Sequence, residues 1–413
     1  MGYTREAIKG ISWIGFFRIA TRGISYVRIA ILARILTPSQ FGAADIVLLT
    51  LSITEIFTET GINIFLIQQK EKIDKYINTA WVISIVRGLL IALVILIFAS
   101  SIAQFFNSQI AYNLLIASIF VPIFRGFINP SVANFVKNLQ FRKEFYYRTS
   151  IFLIESIVSV FFVFILQSPI AIIYGLIFGA LFEIIFSFLI AAPQPRFKFE
   201  SELFRQVISR GKWLTATGIF NYLYHNGDNI VVGKLLGTGA LGLYQRAYSI
   251  SMLPITEVSD TFGKVTLPVF VKMSHDIVRL KRAYLRSLLL ISVIVVPVGA
   301  LIFMFPEIVI KIILGSQWIS AAPALQILTL FGVIRAISIS SLSAFYAIKR
   351  QEFVSRITFV SFLGLVVTII PFVNMWGLVG AAYSALFGTL ISLPLIVYYL
   401  NKIFTMKVFK NQQ

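Results

Sequence analysis

Cysteine is absent from this chain of 413 residues, and histidine occurs only twice, at His225 and His275. The first absence excludes disulfides and cysteine-ligated metal, and the second excludes a histidine-rich metal site. Acidic residues are also scarce: 17 Asp and Glu stand against 36 Lys and Arg, for a net charge of +19. Charge of either sign is sparse, at 13% of residues, whereas 58% are hydrophobic. Long polar stretches are missing, so no extramembrane segment is large enough for a separate soluble domain.

What is present is a series of twelve apolar stretches, near 9–33, 41–66, 78–104, 110–136, 149–167, 169–191, 211–236, 243–268, 285–305, 321–347, 353–373 and 377–400. Each is long enough to cross a hydrocarbon core of about 30 Å, which takes about 20 residues of helix. The basic residues fall in alternate connections, such as Lys70, Lys72 and Lys75, or Lys137, Arg142, Lys143 and Arg148. The intervening connections carry only Arg34, Lys234 and Lys311. By the positive-inside rule both termini are cytoplasmic, in a multi-pass protein of a bacterial or archaeal cytoplasmic membrane. That topology accounts for the high charge, so nucleic acid is not an expected partner. Met1–Gly10 is short and mixed in charge, with no small-residue cleavage site after the first apolar run, and no cleaved signal peptide is expected.

The chain repeats at half length. Trp13 lies 200 positions before Trp213, and Ala33-Arg34-Ile35-Leu36 aligns at the same offset with Gly233-Lys234-Leu235-Leu236. After a shift of two, Ile53-Thr54-Glu55 matches Ile255-Thr256-Glu257. An even span number per half gives both halves the same orientation, the parallel-repeat arrangement of some transporters. The expected architecture is all-α, with two pseudo-two-fold-related six-helix bundles, 1–192 and 211–413, around a central cavity. They are joined by a basic, proline-containing cytoplasmic linker over 193–210.

Particular residues carry a family likeness. Lys9-Gly10-Ile11-Ser12-Trp13, Leu36-Thr37-Pro38-Ser39-Gln40-Phe41-Gly42, Glu59-Thr60-Gly61-Ile62-Asn63 and Leu314-Gly315-Ser316-Gln317-Trp318 recur in order. The chain resembles the Wzx-type polysaccharide and O-antigen repeat-unit flippases of the multidrug/oligosaccharidyl-lipid/polysaccharide exporter superfamily. The resemblance implies movement of an undecaprenyl-pyrophosphate-linked oligosaccharide by alternating access, without covalent chemistry or a bound cofactor. It implies membrane lipids and the polysaccharide polymerase machinery as further partners, and leaves the coupling ion, Na+ or H+, open. Some relatives carry two more C-terminal spans, for which this sequence shows no counterpart. A small-molecule or drug antiporter on the same fold is the alternative, and the short, nearly uncharged external connections speak against a membrane enzyme.

Ionisable residues inside spans are expensive in hydrocarbon, so each should face protein or a water-filled cavity. Arg18 and Arg22 share one face of the first span, and Glu59 and Glu55 lie at matching depths on the second. Structural pairing within this quartet and a lining of the cavity are both open. Arg28 has only Asp45 at its depth among its neighbours, while Arg125 and Arg335 lie mid-span with no acid in the same helix. The five arginines are candidates for the anionic head of the implied substrate, because guanidinium holds oxyanions in bidentate form. Asp45, Glu55, Glu59, Asp228, Arg246 and Glu257 are candidates for coupling or for structural ion pairs. The polar run Tyr224-His225-Asn226-Gly227-Asp228-Asn229 interrupts the seventh span at mid-membrane, where a glycine beside polar residues permits local unwinding, and Asp228 is open to coupling to a cation or proton or to pairing with Arg246.

Reporter fusions test the topology. Fusions after Asn107, Ser168 and Asn374 should report outside, and those after Lys72, Lys198 and Lys281 inside. A consistent inversion or an odd number of crossings contradicts it.

Overall fold

The computed structural model describes residues 21–58, 66 and 74–405, with the side chains of 74, 203, 205–217, 253–261 and 264 outside the description. The described residues contain helices and connections and no strand. In order they are α1 (21–35), α2 (Pro38–Phe57), α3 (Asp74–Phe105), α4 (Gln109–Ser118), α5 (Phe120–Gly126), α6 (Ala133–Lys137), α7 (Phe141–Leu166) and α8 (Ile170–Ile190). There follow α9 (Ser201–Met273), α10 (Ile277–Met304), α11 (Pro306–Ile313), α12 (Ala322–Ala347) and α13 (Gln351–Thr405). Among the described residues eight helical segments are long and apolar enough to cross a membrane. An all-helical make-up follows from the solvent, since only structures that satisfy every backbone N–H and C=O internally can span lipid.

Local sequence explains the ends. The Thr37-Pro38-Ser39-Gln40 stretch starts α2: Thr37 accepts from the Gln40 amide, the Gln40 side chain accepts from the Thr37 amide, and Pro38 occupies the first turn. This reciprocal cap satisfies donors that the first helical turn leaves open. The expected fourth span, 110–136, is not one helix. It breaks after Gly126, where Asn129-Pro130 begins a short 3-10 turn and the Asn129 side chain accepts from the Ser131 amide. Proline has no amide to donate and disfavours helix in the residue before it.

Two glycines set the sharpest reversals. Gly237 (φ +83°) divides α9, and Gly377 (φ +56°) divides α13, each in the left-handed region that residues with a Cβ avoid. Gly237 lies in the connection after the seventh span, and Gly377 opens the twelfth. The run 224–229, by contrast, stays helical, and a Cβ at Gly227 would meet nothing within 4 Å. The seventh span is therefore wound where unwinding was expected. The backbone ladder is kept, and Asn226 Nδ2 donates to the Tyr222 carbonyl at 3.3 Å, one turn earlier.

Packing divides the chain into two units, Met1–Asn226 and Gly227–Gln413. The expected linker is non-helical over 193–200 and helical from Ser201. Its first part is fastened to the first unit. Asn129 and Ser131 donate to the Pro193 carbonyl, the Arg196 amide donates to Asn78 Oδ1 at 2.7 Å, and Phe197 packs on Trp81 with ring centroids 4.5 Å apart. In the second unit, Phe353 and Tyr399 stack at 4.0 Å within a core that also holds Phe345, Ile357 and Ile396.

Candidate functional site

In the first unit two arginines expected to face a cavity are held by carboxylates from helices distant in sequence. Arg28 Nη1 on α1 bonds Glu155 Oε1 on α7 at 2.5 Å, with side chains 18% and 16% exposed. The guanidinium also lies over the Phe152 ring, 5.2 Å from its centroid. Glu155 is fixed from behind, because Gly175 and Gly179 bring α8 against its backbone and side chain. The partner of Arg28 is thus Glu155, where counting depth along adjacent spans pointed to Asp45. Asp45 itself is buried in α2.

A second cluster depends on a close helix crossing. A Cβ on Gly88 of α3 would lie 2.3 Å from the Pro122 carbonyl oxygen, and one on Gly126 of α5 would lie 2.9 Å from that of Ser84. Backbone contact at these two glycines places their preceding neighbours, Arg87 and Arg125, at one cavity of about 480 Å³, which Glu55, Tyr147, Arg148 and Glu183 also line. Arg125 Nη1 bonds Glu55 Oε1 at 2.7 Å, with both side chains more than a third exposed. Arg87 donates to the Glu55 carbonyl at 2.7 Å and to Thr58 Oγ1 at 3.1 Å, at the end of α2. A cation there complements the unsatisfied carbonyls of a helix C-terminus. Tyr147 donates to Glu183 at 2.9 Å, and Arg148 bonds Glu144. Glu55, expected opposite Arg22, therefore bonds Arg125. Arg22 is exposed on α1, and Arg18 and Glu59 lie outside the described residues.

The second unit holds a different arrangement. Asp228 is 4% exposed and accepts from the Tyr244 hydroxyl and the Asn229 amide, both at 2.8 Å. Next to it the Asn229 side-chain oxygen is buried without a hydrogen-bond partner. Tyr248, one turn after Tyr244, accepts from Arg335 Nη1 at 3.4 Å, and the Arg335 guanidinium lies 5.8 Å from the Phe331 ring centroid. Among the described residues, no carboxylate forms an ion pair with Arg335. The expected Arg246 contact of Asp228 is replaced in these bonds by Tyr244. Arg246 is half-buried on α9, and the Glu257 side chain lies outside the description.

Sequence reasoning did not assign the site residues Glu155, Arg87, Tyr147, Glu183, Tyr244 and Tyr248. The recurring Arg-Gly pair at 87–88 and 125–126 was the available signal for one cluster, and the i,i+4 tyrosines 244 and 248 for another. Among the described residues no group of His, Asp and Glu is assembled to hold a metal ion.

The model of the family described as polysaccharide biosynthesis protein matches residues 31–323. The lipopolysaccharide biosynthesis protein WzxC of Escherichia coli K12 is 24% identical over 82% of this chain and 69% of its own length. The succinoglycan biosynthesis transport protein ExoT of Rhizobium meliloti is 24% identical over 79% and 66%. The chain thus spans about two thirds of these relatives. Among solved structures, the lipid II flippase MurJ in an inward closed conformation superposes with a TM-score of 0.72, at 17% identity, covering 94% of this chain and 89% of its own. An inward-facing multidrug transporter of the MATE family gives 0.66 at 15% identity, over 94% and 96%. At these identities the likeness shows a common fold.

The pairs differ in exposure, and their energetics should differ with it. Losing one partner of Arg28–Glu155 should cost about 3 kcal/mol of stability, because the other charge is left buried. The double variant Arg28→Ala/Glu155→Ala should recover most of that loss. The half-exposed Arg125–Glu55 pair should show a coupling of about 1 kcal/mol or less. Thermal unfolding of the purified variants in detergent measures both, and equal couplings would contradict the assignment.

Proposed function

We infer the function from a premise that the match over residues 31–323 supplies: the chain belongs to the polysaccharide biosynthesis protein family. It is a multi-pass membrane transporter and not an enzyme. Its cargo is a lipid-linked oligosaccharide repeat unit for surface polysaccharide, carried from the inner to the outer leaflet of the cytoplasmic membrane. Relatives named for lipopolysaccharide, succinoglycan and teichuronic acid synthesis support that cargo class, as does a fold shared with a lipid II flippase. We further propose twelve spans, two bundles that rock about a central cavity, cytoplasmic termini, and handover to polymerase machinery on the outer side.

The observation that carries the reading is Arg335. It lies in the middle of α12, and its described contacts are a phenol oxygen and an aromatic ring. A guanidinium at membrane depth is tolerable only against protein, water or an anion. One that bonds no described carboxylate retains donors for the pyrophosphate or acidic sugars of such a substrate, which a planar fork holds with two parallel bonds. A site for cationic drugs would require the opposite sign. For coupling we propose Asp228, whose buried carboxylate stands beside the Asn229 oxygen, as the acceptor of a proton or Na+.

Arg335→Ala should abolish surface polysaccharide and cause lipid-linked repeat units to accumulate, while insertion and expression stay normal. Arg335→Lys keeps the charge and loses the fork, and should lower export about ten- to hundredfold, the equivalent of one charged hydrogen bond of about 1.5–3 kcal/mol. Full export by a stable Arg335→Ala variant contradicts the anion-binding role.

A further inference from the structure

The cavity at the Gly88–Gly126 crossing has two kinds of lining. Glu55, Arg87, Arg125, Tyr147, Arg148 and Glu183 bring polar groups to it from α2, α3, α5, α7 and α8. Ile91, Pro122, Ile128 and Val132 bring apolar carbon. Charge within it is matched. Arg125 bonds Glu55, Arg148 bonds Glu144 from outside the lining, and Arg87 stands with a further carboxyl group, that of Glu183. The Arg125 and Glu55 side chains are 41% and 35% exposed. At membrane depth such exposure is tolerable only towards water or a ligand, so the cavity is open rather than sealed.

Much of its hydrogen-bonding capacity is unspent. Among the described residues Arg125 makes one side-chain hydrogen bond, through Nη1, and the Glu55 carboxylate accepts it at Oε1. A guanidinium donates from every nitrogen and a carboxylate accepts at both oxygens, so each keeps groups to offer. Glu183 accepts from Tyr147 at Oε1, and no described donor reaches its Oε2. Tyr147 is a fixed donor, 2% exposed and stacked on Phe186.

The composition of the lining selects the ligand. A phosphate would call for cations in excess, a metal ion for carboxylates without guanidinium beside them, and a lipid tail for no charge at all. Matched donors and acceptors beside apolar carbon suit a sugar ring, whose hydroxyls both donate and accept and whose C–H groups are apolar. A volume of about 480 Å³ is ample for such a ligand, within the range of about 300–1,000 Å³ for small-molecule sites. Position adds a direction. Arg148 lies about two turns inside α7 and Glu183 about two turns before the end of α8, at the helix ends that the proposed topology places in the cytoplasm.

We propose that this cavity is the entry subsite for the saccharide part of the transported lipid, taking an uncharged, hydroxyl-bearing sugar ring rather than a phosphate; this rests on the transport reading above. Arg125 and Glu55 hold hydroxyls as donor and acceptor, Glu183 accepts from another, and Ile91 and Ile128 take the C–H groups. The anionic group of the substrate is left to Arg335.

The test uses the full chain in lipid nanodiscs. Its probe is the oligosaccharide released by mild acid from lipid-linked repeat units that accumulate in cells lacking this chain. Saturation-transfer NMR should show contact with the sugar-ring protons, and inorganic phosphate should not displace the saccharide. Arg125→Ala/Glu55→Ala removes both charges together and should weaken binding at least about tenfold, the loss of charged hydrogen bonds on both sides of the ring. On the unmodified chain, the saccharide should shield Arg125 from phenylglyoxal, mapped by mass spectrometry, which decides the matter even where the double variant misfolds. Absence of binding, displacement by phosphate, unchanged affinity in a folded double variant, or an unshielded Arg125 overturns the proposal. The unmodified chain is also assayed for restoring surface polysaccharide to the same cells. Restoration without saccharide bound at this cavity defeats the subsite alone, whereas failure to restore, or no accumulated repeat units in its absence, defeats the transport reading itself.

Discussion

An ionised side chain in hydrocarbon loses the hydration that stabilised it in water, and the loss is recovered only through a partner charge, hydrogen bonds or a hydrated cavity. This constraint organises the first unit. Glu155 reaches across to Arg28 from α7, and Glu55 reaches Arg125 from α2. Each pair fixes two helices that are far apart in sequence against one another. In lipid, where apolar surface gives helices little reason to prefer each other, such contacts and close small-residue packing do much of the selecting. Gly88 and Gly126 illustrate the second factor, since their backbone contact brings Arg87 and Arg125 to one cavity.

The two units use their intramembrane charge differently. In the first, Arg28 and Arg125 are neutralised by carboxylates, so they serve to hold helices and to line cavities of low net charge. In the second, Arg335 has tyrosine and phenylalanine for company, and Asp228 takes its hydrogen bonds from Tyr244 and from the backbone. The proposed anion site, Arg335, and the proposed coupling group, Asp228, both belong to the second unit.

Much of this was legible in one dimension. Apolar length and alternating basic connections mark a polytopic helical protein, and Thr37-Pro38-Ser39-Gln40 reads as a helix start before any coordinates. The family motifs led to the correct family. Lateral neighbours were not legible, because depth along a span says which charges share a level and not which helices touch. Arg28 was matched to Asp45 on the adjoining span, while the partner sits 127 residues away on α7. Local polarity also misled at 224–229, where Asp228 bonds Tyr244, Asn226 bonds within the helix and the backbone stays wound. The reversals fall instead at Gly237 and Gly377, where a positive φ is required. The fourth span was read as one helix because its apolar run is continuous, although Asn129-Pro130 interrupts the backbone.

The central claim is that this chain carries an anionic lipid-linked saccharide across the bilayer. Its most direct measurement is transbilayer movement in proteoliposomes that contain the purified chain and a fluorescent lipid-linked oligosaccharide in both leaflets. Exposure of the saccharide to an external glycosidase reports transfer. The account predicts digestion beyond the outer-leaflet fraction with the chain present, and no transport of a cationic dye in the same vesicles. Dye transport with the inner-leaflet saccharide left protected would contradict it, and would make the protein a drug antiporter.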